Sequence, residues 1–346
     1  VASLTDFKQK LTDGWDIRSG GTVTKAAAGV ASVAALAIGI YGFILDHEPA
    51  TFDVAANTKG LTAEHQTNAV TGSATVATLI KMTDVLLNKR GGYLTNDITP
   101  PSIWMDNVPR WEFGVLVQVR DMVRTLRKTL SRSQSQSTED AALVLAENQF
   151  YFDSDAWILP ETEGEYKKGT RALVDYLVRL GDTDQNNALF YARTDNLNTW
   201  LAEVETRLGS LSQRLSASVG KRQLDISLAG DASATQSTAS SETHLKTAWM
   251  LLDDVFYEAR GSTWALLHLL TAVEVDFRDV LLKKNALVSM RQIIRELEPT
   301  QDALFSPVIL NGDGLGVLAN HSLIMGSHIS RANAAIIDLR RLLENG

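Results

Sequence analysis

At 346 residues, with 45% hydrophobic and 21% charged side chains, the chain is long enough for a sizeable core and too apolar to stay disordered. Its formal net charge of -8 works against phosphate-backbone binding, which rests on a basic face, so no nucleic acid partner is expected. The lack of cysteine excludes disulfides, thiolate zinc sites, iron–sulfur clusters and a cysteine nucleophile together, and leaves the redox compartment open.

The sequence starts at Val1, which fits either processing or further residues upstream. Residues 1–25 read as a short tail carrying Lys8, Lys10, Arg18 and Lys25. From Ala26 to Leu45 there are 20 residues without a charge, enough to cross a hydrocarbon core of about 30 Å as a helix. Only Lys59 follows in the comparable stretch beyond the span, so the basic tail is expected on the cytoplasmic side and the large domain on the far side. The apolar run is longer than a signal-peptide core, and acids rather than small residues follow it. Ala27, Ala31, Ala35 and Gly39 recur every fourth residue, a stripe along which a second membrane helix could approach closely.

Residues 46–71 mix threonine, alanine, asparagine and glycine without periodicity and read as a tether. A first helical group is expected over 72–220. Val76, Leu79, Thr83 and Leu86 share one face, and the Gly91, Gly92 pair stops that helix. Leu116, Val119, Val123, Leu126 and Leu130 define a second helix, whose other side carries Arg120, Arg124, Arg127, Lys128 and Arg132. This basic stripe is a candidate partner or lipid face, with pairing to the chain's own acids as the plainer reading. Helices near Ala141 to Glu147 and Glu163 to Leu180 follow, and then a seam of Leu197, Leu201, Val204, Leu208, Leu211 and Leu215, for which Asp195 is a candidate cap.

Residues 221–241 turn to serine, alanine, threonine and glycine, and read as a flexible loop before a second group over 242–346. There Trp249, Phe256, Thr263, Leu270 and Phe277 are spaced by sevens, predicting one long helix or two nearly collinear ones, with Gly261 as the expected interruption. A last helix is expected from about Leu315 to Glu344. The fold class is therefore all-α: an N-terminal transmembrane helix followed by antiparallel helical bundles.

No catalytic or cofactor signature stands out. His47 and Glu48 are followed by Pro49 rather than by the second histidine of a metalloprotease helix, and the six histidines include no pair three or four residues apart. The Asn311 to Gly316 turn lacks the lysine of a phosphate loop and the acids of a calcium loop. Tyr257, Glu258, Arg260 and His268 lie on or beside the long apolar seam and form the one candidate polar site, with Glu274 and Asp276 further along. Buried polar groups in such a seam commonly satisfy one another instead.

The runs Leu130 to Asp140, Asp155 to Pro160 (DAWILP), Arg207 to Gly220, Asp253 to Leu267 (DDVFYEARGSTWALL) and Ser306 to Leu339 together resemble a known family. It is the domain of unknown function 2333 family, a gammaproteobacterial group of single-span envelope proteins. The resemblance covers nearly the whole chain and implies a bacterial inner-membrane setting. It implies no activity, cofactor or catalytic residue. On this reading the protein is an envelope scaffold or interaction protein, forming a homo-oligomer or joining a membrane-protein partner. A periplasmic hydrolase or ligand-binding protein and an anionic-lipid-contacting protein are the alternatives.

Overall fold

The computed structural model describes residues 17–132, 138–182, 184–185, 187–224, 242–306, 308–313 and 316–345. The expected tail, apart from its last residues, and most of the expected 221–241 loop lie outside the described residues. Among the described residues the fold is all-α, apart from a short ladder in which β1 (Lys221–Leu224) pairs antiparallel with β2 (Glu242–Leu245).

Helix α1 (Ile17–Leu45) contains the segment Thr24–Leu45, which is long and apolar enough to cross a membrane. Only 6% of its most apolar window is buried against the rest of the chain, so this is not the core helix of the domain. Its last turn, by contrast, is held: Leu45 packs in a small cluster with Leu94 and Val108, and Gly42 faces the Pro101 ring.

The segment expected to be a tether is structured. Residues 46–52 run extended along the domain, Asp53 caps α2 (Val54–Glu64) through the Ala56 N–H, and α2 packs on α3 (Ser73–Asn88). Periodicity was the wrong signal here, because α2 is weakly amphipathic and buries only Val54 and Thr62. Asn68 then donates to the Gly181 carbonyl, at 3.1 Å, tying the chain to the end of α6 (Thr162–Gly181).

Helix α3 ends where expected, with both Gly91 and Gly92 at positive φ. Helix α4 (Asn107–Thr125) runs on through one π-helical turn to Leu130, and its expected apolar face is buried throughout. Helix α5 (Ala141–Phe150) is capped by Asp140 and lies against α6. Helix α7 (Thr194–Ser216) buries its whole leucine seam, chiefly against α11 (His321–Asn345). Asp195 sits inside the first turn of α7, paired with Arg193, instead of capping it.

Helix α8 (Leu252–Asp276) is the central element, and its most extensive contact is with α4. It runs unbroken through Gly261. The absence of a side chain there serves packing instead: a Cβ on Gly261 would sit 2.1 Å from the Trp111 carbonyl oxygen, and one on Gly114 2.2 Å from that of Glu258. The two backbones therefore cross with a glycine on each side. The expected long helix breaks at Phe277 instead, followed by α9 (Arg278–Lys283), a turn with Asn285 at positive φ, and α10 (Leu287–Leu297). A single hydrophobic cluster runs from Val76 to Leu343, so the two expected helical groups share one core.

Candidate functional site

The α8 residues singled out in the sequence do not converge. Glu258 leaves the seam to pair with Arg214 of α7, while Glu274 pairs with Arg291. Asp276 caps α3 from outside, accepting from Gly72 N at 2.8 Å and from Thr75 N and Oγ1 at 2.7 Å. Burial pushes the Asp276 carboxyl above its ordinary range, and these three donors oppose that shift.

His268 lies under the extended segment. Phe52 N–H donates to its Nε2 at 2.9 Å and the Phe52 ring stacks on the imidazole at 4.0 Å, so the ring proton is on Nδ1, which donates to the Trp264 carbonyl at 2.7 Å. Burial lowers its pKa to about 4. The histidine is neutral and holds the backbone of residue 52.

Tyr257 and Arg260 do face a common space, a cleft of about 690 Å³ beside the end of α1. Its other walls are Phe43 to Thr51 and the segment after the short turn Glu298–Gln301. Arg260 is buried and fully engaged: Nε pairs with Glu48, Nη1 donates to the Thr300 and Asp302 carbonyls at 3.0 and 2.9 Å, and Nη2 donates to that of Gln301. It joins three segments and is not aimed at open space.

Glu48 and Asp46 are the cleft residues that sequence reasoning missed. The available signal was the acidic run directly after the span, read there only as its boundary. Burial raises the Glu48 carboxyl against the pull of Arg260, and burial likewise raises that of Asp46 against a hydrogen bond from Asn107. Burial also pushes the Tyr257 hydroxyl up, reinforced by the charges of Glu48 and Asp46. The Glu48 Oε1 atom and the Trp264 indole N–H are buried without a partner among the described residues. These groups can hold protons and order water, but they assemble no nucleophile with its base. No cluster of three metal-ligating side chains occurs among the described residues.

The basic stripe folds back on its own chain. Arg120 donates to the Phe150 and Phe152 carbonyls at 2.6 and 2.9 Å, and Arg124 reaches Asp121 and Glu203. Arg127 pairs with Glu147 and Glu139, and Arg132 lies 3.7 Å from Glu139. Lys128 is exposed. In α1, Ala27, Ala31, Ala35 and Gly39 are all exposed, and nothing lies within 4 Å of where a Gly39 Cβ would be.

These features define a class: an all-α domain led by one apolar helix able to cross a membrane, its cleft built around a structural ion pair. Over residues 18–346 the sequence matches the family model DUF2333, described as an uncharacterized protein conserved in bacteria, and the chain belongs to that family. No curated protein and no solved structure matched the chain.

Proposed function

We propose that the protein is a scaffold of the bacterial inner membrane, anchored by α1 with its N-terminus in the cytoplasm and its helical domain in the periplasm. The observation that carries this reading is the junction between anchor and domain. The last turn of α1 is tied to the domain by the buried Leu45, and the segment after it is fixed by Arg260 and His268 instead of being left free. An enzyme that must reach diffusing substrates gains nothing from such fixation, whereas a scaffold needs its binding faces held at a set height and angle over the bilayer.

Partners on this reading are other membrane helices, either copies of this chain or a subunit of an envelope assembly, meeting the exposed Ala27, Ala31, Ala35 and Gly39 stripe. A hydrolase built on Glu258 and His268 is disfavoured by their separate structural partners. An anionic-lipid role for the arginine stripe is disfavoured by its ion pairs with the chain's own acids.

Native mass measurement in mild detergent, after crosslinking in intact cells, tests the role. An oligomer or a stoichiometric membrane partner is expected, and a strict monomer without companions overturns it. Protease added to spheroplasts tests the placement, since it should digest the C-terminal domain; a protected domain would put it on the cytoplasmic side.

A further inference from the structure

The domain carries large apolar side chains in the open at one particular end. Ile103 and Trp104 are 55% and 71% exposed, and Phe305 is 98% exposed. Ile103 and Trp104 lie in one short 3-10 turn (Ser102–Trp104) and Phe305 in a connection outside the helices, so no long amphipathic helix explains them as the back of a core stripe. Their place in the fold does. Trp104 lines a hollow together with Gly42, Phe43 and Asp46, the last turn of α1 and the residue after it. Phe305 lines the larger cleft, of which Phe43 is also a wall. Both aromatic residues thus lie beside the point where the apolar helix meets the domain.

The same end continues outward to the first turns of α4 and α8, joined by the ion pair of Arg110 with Asp254. In the turn just before α8, Trp249 and Met250 are 80% and 78% exposed. Asp46, Glu48 and Asp106 line the two hollows together with Arg260, which pairs with Glu48, so the balance of charge there is acidic. That sign repels anionic head groups and does not penalise neutral ones.

We infer that this end is a membrane-resting face: Ile103, Trp104 and Phe305 insert into the interfacial layer of the bilayer that α1 crosses and set the domain down on it. The physical reason is continuity. Phe43 belongs to the span, so side chains at its level lie where hydrocarbon gives way to head groups, the zone in which tryptophan and other aromatic rings are most stable. Contact there removes exposed apolar area from water without needing any basic residue. The fixed junction at Leu45 keeps these side chains at that level. The inference rests on α1 being a membrane span, and the test separates the two.

The chain has no cysteine, so single cysteines can be introduced and labelled without background. Ile103→Cys, Trp104→Cys and Phe305→Cys alter exposed positions and leave the core intact. Val33→Cys reports the middle of the span, and Val288→Cys, 78% exposed, reports the other end of the domain. That end lies beyond the C-terminus of α8, about 28 Å along the helix axis from Tyr257. Each variant carries an environment-sensitive dye and is reconstituted in nanodiscs of neutral lipid, with and without nitroxide-bearing lipid. A blue shift and loss of emission to the nitroxide are expected at 103, 104 and 305 as well as at 33, with a water-like, unquenched signal at 288. Water-like signals at 103, 104 and 305 beside a quenched 33 overturn the resting face and leave the span standing. A water-like signal at 33 overturns the span and the inference with it. If the three positions respond only when anionic lipid is added, the contact is electrostatic and the inference fails.

Discussion

Two glycines and one histidine show how single positions set this structure. Gly261 and Gly114 let the backbones of α4 and α8 touch, and alanine at Gly261 must push a carbonyl oxygen that cannot rotate away. The intrinsic helix preference of alanine, about 1 kcal/mol, is smaller than the overpacking cost of about 3 kcal/mol, so Gly261→Ala should destabilise. Gly209→Ala in α7 should do the reverse, gaining up to about 1 kcal/mol, because the nearest atom to its new methyl is the end of the Asn333 side chain at 3.7 Å. Chemical unfolding of the detergent-solubilised chain reads both signs. For His268, the folded pKa of about 4 lies below the unfolded value of 6.5, so the unfolded chain binds the extra proton in between. The stability carried by the neutral ring is complete above pH 6.5 and is lost as the pH falls toward 4. The shift corresponds to roughly 3 kcal/mol. Raised carboxyls such as Glu48 and Asp276 act in the opposite direction over acid pH, so the measurement is the difference between wild type and His268→Gln. That difference should shrink steadily between pH 6.5 and 4; a constant difference would show that His268 does not titrate there.

At the scale of elements, the segment between α1 and α2 behaves as part of the domain because three separate contacts hold it. Leu45 is buried at one end, Glu48 pairs with Arg260 in the middle, and Phe52 is pinned at the other end by His268. Glu48→Ala leaves the Arg260 guanidinium largely buried with carbonyl partners alone, which should cost about 3 kcal/mol. The opening is expected to be local first. Hydrogen exchange at residues 46–53 should rise well before that of α8, and unchanged protection there would show the ion pair to be dispensable. Helix α8 has the opposite character, with buried residues on every side of its axis, as expected for a helix surrounded by others. Its heptad-like spacing continues past Asp276 although the helix does not. Spacing alone does not say which residues face the core: Phe277 at the break is buried, whereas Trp249 at the start of the series is exposed in the turn before the helix.

For the whole molecule, the decisive feature is that the main core excludes α1. Among the described residues, the cluster from Val76 to Leu343 contains none of the apolar helix, whose buried Leu45 belongs to a small satellite. Removal of residues 1–44 should therefore leave a cooperatively melting all-α domain, checked by circular dichroism against the full chain. Loss of the cooperative transition would mean that the helix is a core element after all. The exposed aromatic end should make the shortened chain bind neutral vesicles weakly, since the face remains while the anchor is gone.

The sequence alone determined the apolar span, the helical class, the faces of α3, α4 and α7, and the glycine stop after α3. Each of these follows from near neighbours along one chain: twenty uncharged residues, a repeat of three and four, or two glycines in succession. Only the tertiary structure decided what Gly261 is for, where the long seam breaks, that the expected tether is strapped to the domain, and that the α8 polar residues scatter to different partners. Those outcomes depend on what lies opposite each residue in space, such as Trp111 across from Gly261, Glu48 across from Arg260, and Phe52 across from His268. Partners more than a hundred residues apart leave no local pattern, because the bond between them forms only once the intervening helices have packed.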